Sequence, residues 1–201
     1  DNRRIGGHLL PAEFANRRPN RGMEGLTITP DGKTLVGIMQ STMDNPTTAV
    51  NKSDLTRIVT IDLETKKVKQ YLYKQEGGAK AYSNSAITAL SNTSFLVLER
   101  DGDFYRDNPS AFKRVYKIDL RNATNLEDIA ETAQIKQDAK LGLTIDGQTL
   151  EQYVLAKGWD GLKTQGILPP TKTLVLDMIE KVKFPHDKME WLWLIDDKRL
   201  G

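Results

Sequence analysis

Short apolar runs alternate with turn-forming residues along the first third of the chain. Residues 26–29 alternate between apolar and polar, and an apolar run at 35–39 follows the segment Pro30-Asp31-Gly32-Lys33. Proline fixes φ, aspartate can bond to its own backbone and glycine accepts a positive φ, so this segment predicts a hairpin turn. A second hairpin is predicted from strand-like runs at 57–63 and 68–73. The pattern therefore predicts four antiparallel strands in one small sheet.

The same order of strands recurs further along the chain. Residues 86–90 and 95–98 repeat the first hairpin, and the run at 114–120 resembles the one at 57–63. A third copy begins at 189–194. Four-stranded units that recur at a spacing of tens of residues are typical of a β-propeller. We therefore predict an all-β fold made of antiparallel four-stranded blades of a partial, truncated β-propeller, and a β-sandwich with chance similarity between strands is the alternative.

Helical periodicity interrupts the strand pattern between the second and third copies. Apolar residues recur with helical spacing at 148–157 and again at 171–183, and Thr149 and Thr171 are suitable N-cap residues. We therefore expect a helical insertion at 146–183, and we expect helices only there.

The chain is interpreted as part of a single propeller domain, and its last unit stops where a second strand should begin. A propeller cannot close with two and a half blades, so we expect a fragment whose unpaired strand edges recruit a second chain or the remainder of the propeller. First strands are predicted at 25–29, 86–91 and 190–195. The predicted segments are an Arg-rich leader at 1–21, blades at 22–75 and 84–136, the helical insertion at 146–183, and the start of a further blade at 184–201.

Charge and composition exclude several classes of protein. The 201 residues carry a formal net charge of only +2, and five arginines lie within the first 21 positions, so the remainder is close to neutral. A neutral body argues against nucleic-acid binding, which needs a basic face. No apolar run approaches the roughly 20 residues that a membrane-spanning helix needs. The absence of cysteine excludes disulfides, thiolate metal ligands and cysteine nucleophiles.

The direction of the predicted strands places the long loops on one face of the propeller, which we call the upper face. First strands begin at this face, and the loops at 40–56 and 101–113 that connect second to third strands also lie there. Both loops are long and polar, whereas the turns on the opposite face are short, and long loops on a rigid scaffold commonly carry binding sites. Glu24 and Glu190 directly precede first strands, which line the central channel of a propeller. We therefore expect a site on the upper face.

Four carboxylates at the end of a second strand and in the loop that follows are candidate metal ligands. Oxygen ligands at alternate positions, with Gly102 easing the bend, suit Ca²⁺, although the spacing does not follow the EF-hand pattern. Solvated loop acids are the alternative interpretation. The candidate ligands are Glu99, Asp101, Asp103 and Asp107.

The candidate catalytic residues are Glu24, His186, Glu190 and Arg100. Arg100 lies between two acids, so it either meets an anionic substrate group or pairs with Glu99 or Asp101. His186 lies near the predicted channel mouth, and a structural role is the alternative. No nucleophile elbow, phosphate-binding loop or dinucleotide-binding motif is present, so a serine hydrolase triad and a bound nucleotide are unsupported.

Three motifs, in the right order and spread over residues 20–200, resemble a known family. They are Asn20 to Thr27 with Pro30-Asp31-Gly32, then Leu98 to Asp101, then Pro185 to Glu190. They resemble the bacterial phytase-like propeller family, often labelled "esterase-like activity of phytase". The resemblance implies a secreted or periplasmic propeller of about six blades that hydrolyses phosphate or carboxylic esters. Trp191 departs from the family pattern, in which a glycine usually follows the glutamate as Gly25 follows Glu24.

Two hypotheses of function follow from these residues and from the resemblance. The first is a metal-assisted hydrolase of small-molecule phosphate or other esters, in which Ca²⁺ neutralises substrate charge and polarises an oxygen. The second is a non-catalytic propeller that binds a ligand or a partner protein through its upper face.

Overall fold

Two four-stranded antiparallel sheets account for most of the fold, and short hairpin turns join their strands. The computed structural model describes residues 9–77, 82–196 and 199–201. The first sheet has the strand order β1-β2-β3-β4. Its strands are β1 (Met23–Ile28), β2 (Thr34–Met39), β3 (Leu55–Asp62) and β4 (Val68–Lys74).

Aspartate side chains close both hairpin turns of the first sheet, as the turn residues predict. The Asp31 carboxylate accepts hydrogen bonds from the Thr29 hydroxyl (2.6 Å) and from the Lys33 amide (3.0 Å), and Gly32 takes a positive φ of 70°. The Asp62 carboxylate accepts the backbone amides of the next turn in the same way. The two predicted hairpins are confirmed, and local turn chemistry determines both.

The second sheet begins with three consecutive strands and is interrupted before its fourth. After β5 (Ser83–Ala89), β6 (Ser94–Arg100) and β7 (Lys113–Asp119), the chain leaves the sheet. It forms a small three-stranded sheet from β8 (Ile135–Asp138), β9 (Gly142–Ile145) and β10 (Gln148–Thr149), followed by helix α1 (Leu150–Thr164). It then returns as β11 (Thr171–Asp177), which pairs with β7 to give the order β11-β7-β6-β5, and continues into α2 (Met178–Val182).

Helix α1 begins where the sequence predicts a helix. The Thr149 hydroxyl accepts the Gln152 amide (3.3 Å), and the Gln152 side-chain oxygen accepts the Thr149 amide (3.0 Å), which together form a capping box. The helix is interrupted at Gly158, whose φ of 69° is not helical. Short 3-10 turns at 12–16, 48–50 and 126–128 lie outside the predicted helical region.

The second predicted helix, at 171–183, is wrong over most of its length. Residues 171–177 form β11, and only 178–182 are helical, with Asp177 rather than Thr171 as the N-cap. The threonines at 171 and 173 and the valine at 175 stand at alternate positions and favour extended structure. The free edge of β7 then supplies backbone partners for this segment, which an isolated helix would lack.

The first strand predicted at 190–195 is also not a regular strand among the described residues. Leu194 forms a single antiparallel bridge with Leu200, and Trp193 and Gly201 exchange two backbone hydrogen bonds of 2.8 Å. This segment pairs only with residues 199–201, which is too short a ladder to count as a strand. The turn predicted at 196–198 and the first part of the Arg-rich leader, at 1–8, lie wholly or partly outside the described residues.

Apolar side chains from both four-stranded sheets pack against each other to form one core. The insertion forms a second core on the first sheet, where α1 and the small sheet cover Leu55 and Leu72. The insertion is therefore packed against the first sheet, although it interrupts the second. The core between the sheets contains Val36, Ile38, Ile58, Tyr73, Ile87, Phe95, Val97 and Ile118.

A buried arginine joins the insertion to the first sheet. Arg57 on β3 is fully buried, and its Nε and Nη2 atoms donate to Glu151 Oε1 of α1 at 3.0 and 2.6 Å. Its Nη1 atom donates to Gln70 and lies 3.5 Å from Glu13. The second oxygen of Glu151 accepts a hydrogen bond from Asn45 (3.0 Å). Because every charge in this cluster has a partner, the burial of Arg57 is compatible with a stable core.

Replacement of Glu151 by alanine should therefore destabilise the protein strongly. The Glu151→Ala variant leaves the Arg57 guanidinium buried with one weaker ion pair, and removal of one partner of a buried pair typically costs about 3–5 kcal/mol. The free energy of unfolding in urea measures this loss. The control is Glu180→Ala, whose exposed pair with Lys181 should contribute less than about 1 kcal/mol. Equal losses in the two variants would contradict the central role of Arg57.

Candidate functional site

Strand β1, strand β5 and the segment 190–193 meet at a groove with a volume of about 450 Å³, which we call the upper groove. Strands β1 and β5 form two of its walls, and residues 190–193 form the third. The Thr88 hydroxyl on β5 donates to the Leu192 carbonyl oxygen, which holds the third segment beside β5. The residues that line the groove include Glu24, Leu26, Ser85, Ile87, Glu190 and Trp193.

Arg100 is held at this groove by contacts with three different segments. Its Nε atom donates to the Ser85 hydroxyl (2.9 Å), its Nη1 atom to the Asp101 carbonyl oxygen (3.4 Å) and its Nη2 atom to Glu190 (2.9 Å). Arg100 is only 6% exposed, whereas the Glu190 side chain is half-exposed. The ion-pair partner of Arg100 is therefore Glu190, 90 positions away, and not the adjacent Glu99 or Asp101 as one sequence hypothesis expected.

Arg21 is a residue of this site that the sequence reasoning missed. One of its terminal nitrogens, Nη1, is buried and has no hydrogen-bond partner among the described residues. Burial lowers the pKa of Arg21, and the charges of Arg18 and Arg100 lower it further, while Glu24 acts in the opposite direction. These charges therefore act on one another across the start of β1. A buried N–H donor without an acceptor is costly, so this position favours a bound anion.

Gln40, which pairs with the start of β1, also carries a buried polar atom without a partner among the described residues. Its backbone amide donates to the Gly22 carbonyl oxygen (2.8 Å), which places Gln40 across from the residue that follows Arg21. The side-chain oxygen of Gln40 and the hydroxyl of Ser41 are both buried without a partner among the described residues. The sequence signal available for Arg21 was its place three residues before Glu24.

The structure separates the two remaining catalytic candidates. Glu24 lies on the wall of the upper groove with an exposed side chain. His186 is also exposed, but it does not line that groove, and its ring packs edge-on against Phe184 with 5.8 Å between ring centroids. It makes no hydrogen bond to any residue in the described part of the chain. The geometry thus groups Glu24, Glu190 and Arg100 and leaves His186 aside.

Glu99, a predicted metal ligand, lies in a buried cluster between the two four-stranded sheets. Its carboxylate accepts hydrogen bonds from the Tyr73 hydroxyl, the Lys172 ammonium group and the Glu76 amide, the last at 2.8 Å. Burial raises the pKa of Glu99, and Lys172 partly offsets this effect. The Lys172 ammonium group also lies over the rings of Tyr73 and Tyr116. Glu99 therefore joins β4, β6 and β11.

The other predicted metal ligands have separate partners. Asp101 pairs with Lys113 at 2.5 Å, Asp103 accepts a hydrogen bond from Asn108 at 2.8 Å, and Asp107 is exposed. Within residues 9–77, 82–196 and 199–201, no three carboxylate or imidazole groups lie close enough to hold a metal ion. The structure thus does not bring the four predicted ligands together, and lysines pair with two of them.

Removal of the Lys172 ammonium group should make stability depend on pH. In Lys172→Met, the buried Glu99 loses its countercharge, so its raised pKa rises further, and the protonated carboxyl is the favoured form in the folded state. The stability contributed by this protonation is present at low pH and is lost as the pH rises through the pKa of the folded state. We expect a loss of about 3 kcal/mol at pH 7.5 and a smaller loss at pH 5.

Thermal unfolding at both pH values measures this difference. Lys181→Met is the matched control, because Lys181 pairs with Glu180 on the exposed surface. A loss in Lys172→Met that is the same at pH 5 and pH 7.5 would contradict the assigned role of Glu99.

Comparison with known proteins places this arrangement in a family. Among the described residues, no helix is long and apolar enough to cross a membrane. No curated protein and no solved structure gives a significant match. The model of the phytase-like family, described as esterase-like activity of phytase, matches residues 1–200. This match confirms the resemblance seen in the sequence motifs, and the chain belongs to the phytase-like family.

Proposed function

We propose that this protein hydrolyses phosphate or carboxylic esters that carry an anionic group, and that the substrate binds in the upper groove. The observation that carries the proposal is the arginine pair at the start of the first strands. Arg100 is fixed by Glu190 and Ser85, and its charge lowers the pKa of Arg21, which keeps a buried N–H donor without a partner among the described residues. Family membership supports a hydrolase-like function at the level of the family.

Each residue of the groove has a distinct role in this proposal. Arg21 and Arg100 bind the anionic group and stabilise the negative charge that develops in the transition state. Glu190 and Ser85 are positioning residues, because they orient the Arg100 guanidinium. The exposed Glu24 carboxylate acts as the general base: it accepts a proton from water as the water oxygen attacks the ester carbon or phosphorus. The ester bond then breaks, and the alkoxide leaving group takes a proton from solvent.

We further propose that the two four-stranded sheets are neighbouring blades of a β-propeller. The sheets approach most closely at their first strands, where a Cβ atom on Gly25 would lie 2.7 Å from the Ile87 amide. Toward β3 and β4 the sheets diverge into a groove of about 590 Å³. Such a wedge is the arrangement that blades take around a central channel. The alternative is a β-sandwich, in which the distance between the two sheets would be uniform along their length.

Export to the periplasm or the extracellular space belongs to the same proposal, and the family resemblance motivates it. Calcium dependence stays a prediction from the sequence, and no step above passes through a metal ion.

The second candidate function is non-catalytic binding of a ligand or a partner protein through the upper face. Trp191 and Trp193 favour it, because they are 84% and 71% exposed beside the upper groove. Exposed tryptophans are enriched at binding interfaces. In this alternative the arginine pair recognises an anionic group without turnover.

Hydrolysis of p-nitrophenyl phosphate and p-nitrophenyl acetate separates the two candidates. Glu24→Gln should lower kcat about 10²- to 10⁴-fold for both esters, because the general base is lost. Arg100→Gln should lower kcat/KM much more for the charged phosphate than for the neutral acetate. Glu180→Gln, on the exposed surface of α2, is the control and should retain full activity. Folded protein that binds these esters without turnover would exclude the hydrolase and favour the binding function.

The same hydrolysis assay tests whether activity requires Ca²⁺. If Ca²⁺ is required, EGTA abolishes hydrolysis and added CaCl2 restores it. Rates that are equal with EGTA and with CaCl2 would contradict the calcium prediction.

A further inference from the structure

The first strands of the two four-stranded sheets lie side by side and run in the same direction. Near the start of β1, a Cβ atom on Gly25 would lie 2.7 Å from the Ile87 amide nitrogen of β5. Two residues further along both strands, the Ala89 amide donates a hydrogen bond to the Thr27 hydroxyl (3.3 Å). Contacts between β1 and β5 therefore advance in step along the upper groove.

The segment 190–193 follows the same direction as β5. At its start, Glu190 and the Ser85 hydroxyl of β5 both bind the Arg100 guanidinium. Further along, the Thr88 hydroxyl donates a hydrogen bond to the Leu192 carbonyl oxygen. The starts of all three segments thus lie at one end of the groove, which we call the polar end. Residues 26–27, 87–88 and 192–193 lie at the other end, which we call the apolar end.

The polar end contains more cationic than anionic groups. Burial lowers the pKa of Arg21, and the charges of Arg18 and Arg100 lower it further. Glu24 acts on Arg21 in the opposite direction, and Glu190 pairs with Arg100. Three guanidinium groups therefore interact here with two carboxylates, and an anionic group of a ligand is the natural partner for the remaining positive charge.

The apolar end exposes large hydrophobic side chains to solvent. Leu26 and Trp193 are 60% and 71% exposed, and Trp191, which lies between the two ends, is 84% exposed. Neither indole ring packs against another aromatic ring or a cation in the part of the chain that the structure describes. An indole offers a wide, flat apolar face, so these positions favour a ligand with an aromatic ring.

Packing of the protein does not explain a tryptophan at position 191. The first copy of the same motif has Gly25 at this place, and Gly25 is buried against β5, where a side chain has no room. Leu192 is the residue that anchors the segment, because it is only 8% exposed and packs on the core of the second sheet. Its neighbours Trp191 and Trp193 are exposed and can therefore contact a ligand.

We propose that the upper groove is specific for esters that join an anionic group to an aromatic ring, and that Trp191 and Trp193 recognise the ring. This inference rests on the proposed function, because it names the class of substrate for the same groove. A volume of about 450 Å³ suits a small molecule. The path along β1 from Glu24 to Thr27 spans about 10 Å, which accommodates one ring and its anionic group.

Calorimetric titration of the chain tests the proposal with three probes that contain no ester bond. Phenylphosphonate carries both an anionic group and a ring, methylphosphonate carries the anionic group alone, and benzamide carries a ring without charge. We expect phenylphosphonate to bind at least tenfold more tightly than either of the other two. Trp191→Ala/Trp193→Ala should reduce the affinity for phenylphosphonate to that for methylphosphonate, and it should leave the affinity for methylphosphonate unchanged.

Two further double variants serve as controls for the alanine variant. Trp191→Phe/Trp193→Phe retains aromatic rings and should keep most of the preference for phenylphosphonate. Leu155→Ala/Val182→Ala removes exposed apolar side chains outside the groove and should leave all affinities unchanged. Equal affinity of the wild-type chain for the two phosphonates would overturn the proposal, and so would equal weakening in the two alanine variants.

Sedimentation velocity tests whether a second copy of the chain covers the tryptophans instead. A chain that dimerises, and that becomes monomeric in Trp191→Ala/Trp193→Ala, would overturn the proposal, whereas the same state in both chains supports it. The outcomes also distinguish this inference from the proposed activity. Preference for the ring without hydrolysis of the p-nitrophenyl esters contradicts the proposed activity alone. Hydrolysis without preference for the ring contradicts this inference alone.

Discussion

The buried charge of Arg57 is the constraint on which the rest of the arrangement depends. A guanidinium on a central strand of the first sheet must be matched by carboxylates, and the chain supplies them from two distant segments, at Glu13 and Glu151. The insertion is therefore part of the core of the first sheet. The segment that carries Glu13 leads directly to Arg21 and Glu24, so the cluster also fixes the chain that enters the upper groove.

Local signals in the sequence predict the parts of the fold that local chemistry determines. Both hairpins of the first sheet follow from turn residues, and the start of α1 follows from the capping threonine Thr149. The helix predicted over the segment 171–177 rests on the helical spacing of Leu174 with the apolar residues at 178, 179 and 182. The strand conformation of this segment depends on the unpaired edge of β7, which lies more than 50 positions earlier, and no local pattern reveals such a partner.

In the candidate site too, the sequence predicts what strand direction determines and does not predict contacts between residues far apart in the chain. Strand direction alone predicts that Glu24 and Glu190 lie near each other, since both precede first strands, and both line the upper groove. The predicted metal ligands failed to converge for a reason that spacing cannot show. Glu99 is neutralised by a lysine of β11, and Asp101 by Lys113, which follows the next loop. Arg21 was missed because its importance comes from burial and from the nearby charge of Arg100.

The late return of β11 also determines the order in which the molecule can be assembled during synthesis. The four strands of the first sheet are contiguous in sequence and can pair once residue 74 has emerged, but Arg57 gains its partner Glu151 only when the insertion has been made. The second sheet must wait, with the edge of β7 open, until the whole insertion and then residues 171–177 have been made. Lys172 arrives with that strand and supplies the countercharge for Glu99 between the sheets. The same strand thus completes the second sheet and neutralises Glu99, and a nascent chain that stops before β11 exposes both an open strand edge and an unmatched carboxylate.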